Sequence, residues 1–89
     1  SSASSSWLAH AQMYTDKVIS SFVLDETSFV IEVASNDGYL LKNFVSAGIP
    51  CLGVEPTAST AGVAEKIGVP VLRDFFGEAL GKRLADEGR

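Results

Sequence analysis

Hydrophobic positions along this chain recur first at helical spacing and then in short continuous runs. Residues 7–23 carry apolar side chains three and four positions apart, which predicts a leading helix after a serine-rich linker, residues 1–6. Residues 29–34 (F-V-I-E-V-A) form a β-branched run, typical of a strand buried on both faces of a parallel sheet. A polar loop follows this strand, and apolar residues at helical spacing then resume.

The strand-then-helix order occurs three times within residues 28–89. Further strands are predicted at 51–55 and 71–73, and further helices at 57–67 and 78–87. Gly48 and Gly68 each end a helix, and the proline two residues later prevents its continuation. The pattern predicts an α/β fold, a Rossmann-like half-domain in which a leading helix precedes three β-α units with a parallel sheet.

Composition narrows the classes of protein to consider. Hydrophobic residues make up 46% of the 89 residues and charged residues 20%, which is typical of one small globular domain. The net charge of −4 argues against a nucleic-acid partner. No apolar run approaches the roughly 20 residues of a membrane span, so no membrane partner is expected. The single cysteine, Cys51, is expected to be a buried hydrophobe, and we expect a cytoplasmic protein.

The loop after the first strand carries the most informative chemistry. Ligands of parallel sheets bind at the carboxyl ends of the strands. A nicotinamide-binding loop follows the pattern G-x-G-x-x-G, so that its backbone can approach a pyrophosphate. Here the only glycine is Gly38, and Glu32 and Asp37 would repel a pyrophosphate. An acidic loop suits a ligand with a cationic amine or sulfonium, and S-adenosylmethionine (SAM) has both.

The ends of the other two strands add further acids. Glu55 is placed to accept hydrogen bonds from ribose hydroxyls, in SAM and in a nicotinamide dinucleotide alike, and Pro56 stiffens its turn. As a strand-end carboxylate, Glu55 is expected to contribute little to the stability of the fold. Asp74 can accept a hydrogen bond from an adenine amine, while the ring of Phe75 packs on the base.

Three strings of the sequence resemble those of the class I SAM-dependent methyltransferases. They are E-x-x-S-N-D-G-x-L-L, G-I-P-C-L-G-V-E-P and G-V-P-V-L-R-D-F-F-G. More narrowly, they resemble the C-methyltransferases that act on nucleotide-linked deoxysugars. The resemblance covers residues 5–88 and implies that residues 1–89 are the N-terminal part of a SAM-binding domain, inactive alone. It implies a small-molecule acceptor, such as a nucleotide-linked sugar. The implied cofactor-binding residues are Glu32, Ala34, Ser35, Asn36, Asp37, Gly38, Glu55, Pro56, Asp74 and Phe75.

The resemblance transfers no catalytic residue and no metal ligand, because the catalytic base and sugar-binding groups of the family lie mostly downstream. Family members usually carry a zinc-binding module before this region and a second α/β domain after it. We further expect the free edge of the first strand to promote self-association.

Structural alternatives remain open for several residues. Glu32 could pair with Lys42, residues 36–38 could be an ordinary turn, and Asp74 could cap the last helix. Trp7 and Tyr14 are interpreted as packing residues. Two other functions also remain: part of a nicotinamide-dependent oxidoreductase, and a non-catalytic α/β interaction module.

Overall fold

The computed structural model describes residues 5–73 and 78–88. Within these ranges a leading helix is followed by three β-α units, which confirms the predicted α/β fold. The leading helix starts two residues earlier than predicted, so Ser5 and Ser6 belong to it rather than to the linker. The elements are α1 (Ser5–Phe22), β1 (Val30–Val33), α2 (Leu41–Ser46), β2 (Cys51–Val54), α3 (Ala58–Lys66), β3 (Val71–Leu72) and α4 (Glu78–Asp86).

The three strands form one parallel sheet in the order β1-β2-β3. Val30 pairs with Cys51 at one end of the β1–β2 ladder, and Gly53 pairs with Val71 in the next ladder. The central strand β2 is buried throughout, as expected for a strand covered on both faces. The same expectation for β1 is wrong: its residues are half-buried or exposed, because β1 lies at the edge of the sheet.

Helices cover both faces of the sheet. On one face, residues of α1, α2 and α3 pack around Cys51, with Leu41 and Phe44 almost fully buried. On the other face, Leu84 of α4 packs against Leu52 and Val54. Burying one large apolar side chain contributes roughly 1.5–3 kcal/mol, so these two clusters account for much of the stability of so small a domain.

The two glycine-proline joints are built alike. Gly48 and Gly68 both adopt left-handed conformations, with φ of +76° and +91°, and end α2 and α3 as predicted. The carbonyl of the proline two residues after each glycine then accepts a hydrogen bond of 2.9 Å, from Val30 N–H and from Gly53 N–H respectively. Each joint therefore ends a helix and also sets the register of the next ladder.

The described helices include none that combines the length and the apolar character needed to cross a bilayer.

Candidate cofactor site

The loops that follow β1 and β2 are connected by one side chain, Glu55. Its Oε1 accepts the backbone N–H of Asn36 at 2.8 Å, and its Oε2 accepts the backbone N–H of Thr57 at 3.0 Å. The side chain is only 4% exposed. The hydrogen bond from Thr57 first, and that from Asn36 after it, hold the pKa of Glu55 below its ordinary value despite its burial. Glu55 is therefore an anion at neutral pH.

This arrangement corrects the expectation that Glu55 contributes little to the fold. A buried carboxylate with two backbone N–H donors holds both loops, and its removal leaves those donors without their partner. The hydroxyls of Thr57 and Thr60 also contribute hydrogen bonds that lower the pKa of this carboxylate, so a ligand hydroxyl would take the place of one of these side-chain donors. The role predicted from the sequence, acceptance from a ribose, is compatible with this geometry and stays a prediction. Pro56 follows directly and is exposed.

The backbone of the loop at residues 34–38 is strained. Ala34 and Asn36 have φ of +60° and +56°, and Gly38 has φ of +83°. For a residue other than glycine, the left-handed region costs roughly 1–2 kcal/mol. Contacts from outside the loop maintain it, since Ala34 N–H donates to the Val54 carbonyl at 2.7 Å and Asn36 N–H donates to Glu55. The loop is therefore more than an ordinary self-contained turn.

Ser35 anchors this loop on the central strand. Its side chain is fully buried, and its Oγ has no hydrogen-bond partner in the part of the chain that the structure describes. A Cβ built on Gly53 would lie 2.3 Å from that Oγ, far inside van der Waals contact. The glycine in β2 therefore makes room for the loop. Sequence reasoning missed Gly53, although a glycine inside a central strand is a known sign of close backbone approach.

Gly38 fixes the other end of the loop against α3. A Cβ at this position would lie 3.1 Å from both Ala64 Cβ and Val69 Cγ2. The positive φ of Gly38 excludes most side chains independently of this crowding. Close packing of the loop on α3 therefore explains why the single glycine stands here.

Glu32 carries a carboxyl group whose hydrogen-bonding capacity is not fully used. It pairs with Gly53 in the ladder and lies on the same face of the sheet as Cys51, whose thiol pKa is raised by burial and then by Glu32. Burial raises the pKa of Glu32 itself to about 7. Its Oε1 is buried with no hydrogen-bond partner within residues 5–73 and 78–88, and the alternative pairing with Lys42 is not present. This carboxyl can therefore accept a donor or a cation from a ligand.

Asp37 lies in the loop at residues 34–38, before α2. Its Oδ1 accepts the backbone N–H of Tyr39 at 3.2 Å, and the residue is half-buried. The structure thus places Glu32 near the end of β1 and Asp37 and Glu55 on the two loops that follow β1 and β2, which gives this end of the sheet three acids.

Asp74 and Phe75 lie outside the described residues, so their assignment to the adenine stays a prediction, as does the capping alternative for Asp74. At the end of β3, Arg73 forms an exposed ion pair with Glu65 of α3. Within residues 5–73 and 78–88 no cluster of three potential metal ligands occurs.

One known protein resembles this chain in sequence, and another resembles it in fold. It is 31% identical over 78 residues to the C-methyltransferase NovU of Streptomyces niveus, a match that covers 88% of this chain. The chain is methyltransferase-like. A SAM-dependent methyltransferase from Archaeoglobus fulgidus has a similar fold, with a TM-score of 0.54 and 13% identity over 84% of this chain. No family model matches the chain.

The extent of these matches differs between the chains compared. This methyltransferase-like chain spans 19% of the length of the curated relative and 33% of the solved structure. The comparisons confirm the resemblance and the Rossmann-like fold that the sequence predicts. The individual cofactor-binding residues remain predictions, supported by the geometry of the two loops.

Proposed function

We propose that this chain binds SAM with the loops that follow β1 and β2, as the cofactor-binding part of a methyltransferase. The observation that carries the proposal is the connection of those loops by Glu55, whose carboxylate accepts N–H groups from both. Glu32 and Asp37 would face the cationic groups of SAM, and Glu55 would accept its ribose hydroxyls. Ala34, Ser35, Asn36, Gly38 and Pro56 would form the wall, with Asp74 and Phe75 at the adenine.

The chemistry of the donor set fits this ligand. Three acids, one near the end of β1 and two on the loops that follow β1 and β2, favour a sulfonium and an ammonium over a pyrophosphate, because unlike charges attract and like charges repel. The unpartnered Oε1 of Glu32 offers an acceptor to such a ligand. When bound, SAM supplies an electrophilic methyl group. The residues of this chain would hold the cofactor in a fixed orientation, which is a positioning contribution to catalysis.

The acceptor in this proposal is a small molecule methylated at carbon, most simply a nucleotide-linked deoxysugar. The support is the motif resemblance together with the similarity to a relative named as a C-methyltransferase. We propose that the 89 residues alone bind SAM without turnover, since the match spans 19% of that relative. A cytoplasmic location belongs to the same proposal and fits the free, buried thiol of Cys51.

A thermal-shift experiment on the 89-residue protein tests the proposed ligand. SAM and S-adenosylhomocysteine should each raise the melting temperature by several degrees, because a ligand at 100 times its Kd stabilises the folded state by about 2.7 kcal/mol. NAD should leave the melting temperature unchanged. A shift with NAD alone would favour the oxidoreductase alternative, and no shift with any of the three would favour the interaction module.

A further inference from the structure

A cleft of about 150 Å³ opens beside the loop at residues 34–38. We name it the aromatic cleft. Tyr39 and Leu40 form one wall and directly follow Gly38, so the cleft borders the proposed SAM site. The N-terminal half of α1 forms the other wall. The lining residues are Trp7, His10, Ala11, Tyr14, Tyr39 and Leu40.

Trp7 contacts two other rings of this cleft, and the rings of Trp7 and Tyr14 remain open to solvent. Trp7 stacks on His10 with ring centroids 6.1 Å apart, and it meets Tyr39 at 5.9 Å in a tilted arrangement. Nevertheless Trp7 is 47% exposed and Tyr14 is 53% exposed. The interpretation of these two residues as packing residues is therefore incomplete, since much of their ring surface is available to a ligand.

The spacing of apolar residues in α1 explains why one part of its apolar stripe is buried and another part is exposed. Trp7, Ala11 and Tyr14 lie on one face of the helix at spacings of four and three. Ala11 is buried, whereas the larger side chains of Trp7 and Tyr14, on either side of it in sequence, are exposed. A small residue between two aromatic residues leaves a recess between their rings, and Tyr39, in the segment just before α2, lines the same recess.

We propose that the aromatic cleft binds the ring of the methyl acceptor that carries the reacting carbon, as an uncharged, hydroxylated six-membered ring. This inference rests on the proposed function. Among the residues that the structure describes, no Asp, Glu, Lys or Arg lines the cleft, which disfavours a phosphate or an ammonium as its occupant. Aromatic faces pack against the C–H face of a pyranose, while His10 and two tyrosines offer polar groups to its hydroxyls. Proximity to the SAM loops would place that ring beside the methyl donor.

Trp7 is the only tryptophan of the chain, so its fluorescence reports on this cleft directly. The 89-residue protein, saturated with S-adenosylhomocysteine, is titrated with UDP-glucose and separately with UDP. UDP-glucose should change the Trp7 emission saturably, and UDP should not. Tyr14→Ala should weaken UDP-glucose binding about 3- to 10-fold, the effect of losing one ring contact. Tyr14→Phe should restore most of the affinity, because it keeps the ring.

Met13→Ala is the matched control, because Met13 is 69% exposed on the same helix and does not line the cleft. It should bind UDP-glucose like the wild type, and all variants should bind S-adenosylhomocysteine equally in calorimetry. An equal response to UDP, unchanged affinity of Tyr14→Ala, or no saturable response at millimolar UDP-glucose would overturn the inference. So would a change of Trp7 emission on dilution alone, which would show that a second copy covers the cleft. Absence of S-adenosylhomocysteine binding to the wild type would instead refute the proposed function.

Discussion

The carboxylate of Glu55 and the backbone N–H of Asn36 meet at 2.8 Å, although the residues belong to loops that follow different strands. Asn36 holds a left-handed conformation with φ of +56°, and its N–H is the donor that Glu55 accepts. The acid predicted to bind a ribose is therefore also the residue that maintains the neighbouring loop. Stability and ligand binding are coupled through this one side chain.

Replacement of Glu55 tests that coupling first through stability. Glu55→Ala should lower the free energy of unfolding by about 1.5–3 kcal/mol, because hydrogen bonds to a charged acceptor are lost and two partly buried N–H groups lose their acceptor. Glu55→Gln should lower the free energy of unfolding by a smaller amount, since its one amide oxygen can still accept a hydrogen bond. Urea denaturation at pH 7 measures both. Glu65→Ala, at an exposed ion pair, should change the free energy of unfolding by no more than about 1 kcal/mol. Equal effects at positions 55 and 65 would contradict the account.

Lowering the pH should reveal how much the Glu55 carboxylate contributes to stability. The pKa of Glu55 is lower in the folded protein than its ordinary 4.5, so its contribution to stability is fully present above pH 4.5. That contribution is lost as the pH falls through the folded pKa. Wild type and Glu55→Gln should therefore differ in stability at pH 7 and converge in strong acid. A constant difference across this range would show that the carboxylate charge is not involved.

Glu32 should have the opposite pH dependence. Its pKa is raised from 4.5 to about 7, so the folded protein favours the protonated form and stability falls as the pH rises through this window. Glu32→Gln should abolish that fall and stabilise the protein at pH 8 by roughly 1–2 kcal/mol, a value reduced for the partial exposure of the side chain. Urea denaturation at pH 5 and pH 8 checks this. Glu26→Gln, at an exposed turn, should retain the wild-type difference between the two pH values.

Two glycines offer a matched pair for testing the contact of the loop with β2. Gly53→Ala should destabilise the protein by about 1–3 kcal/mol, because the new Cβ overlaps Ser35. Gly62→Ala in α3 should stabilise by about 0.5–1 kcal/mol, since helical alanine is favoured and, among the described residues, the new Cβ would meet only the Arg73 side chain, at 3.5 Å. Adding Ser35→Gly to Gly53→Ala should recover part of the loss. Thermal unfolding distinguishes these outcomes, and equal signs for the two alanine variants would argue against the close contact.

The free edge of β1 should promote self-association of the chain. Val33 is 52% exposed at this edge, and an exposed apolar edge strand can pair with another chain. Val33→Lys should reduce association measured by light scattering at high protein concentration. Val63→Lys, at a similarly exposed valine in α3, should leave it unchanged. A wild-type protein that stays monomeric at every concentration would contradict this expectation.

The sequence predicted those features that depend on local pattern. Gly48 and Gly68 were identifiable as helix ends because each is followed by a proline at a fixed distance. The acidic loop was identifiable from its place between a β-branched run and a helical stripe. The contact between Ser35 and Gly53 was not, because it joins residues distant in sequence that only the packed sheet brings together. The burial of Glu55 was not predicted for the same reason, since the periodicity of the sequence does not report how closely two loops approach each other.

The edge position of β1 shows another limit. Its V-I-E-V run has the composition of a strand covered on both sides, and β2 shows what such coverage looks like. Burial depends on which elements pair with a strand, and no pattern within the strand itself encodes that. The aromatic residues of α1 illustrate the same point, because a stripe that suggests packing is only partly covered.

Calorimetric titration of the 89-residue protein with SAM tests the central claim most directly. The wild type should bind one SAM, and Asp37→Asn should bind about 10-fold more weakly, because the amide keeps the hydrogen bond to Tyr39 N–H but loses the charge. Asp86→Asn removes an equal charge from the exposed end of α4 and should bind like the wild type. No binding heat from folded wild-type protein, or equal affinities of the two Asn variants, would contradict the assignment of this acidic loop to SAM.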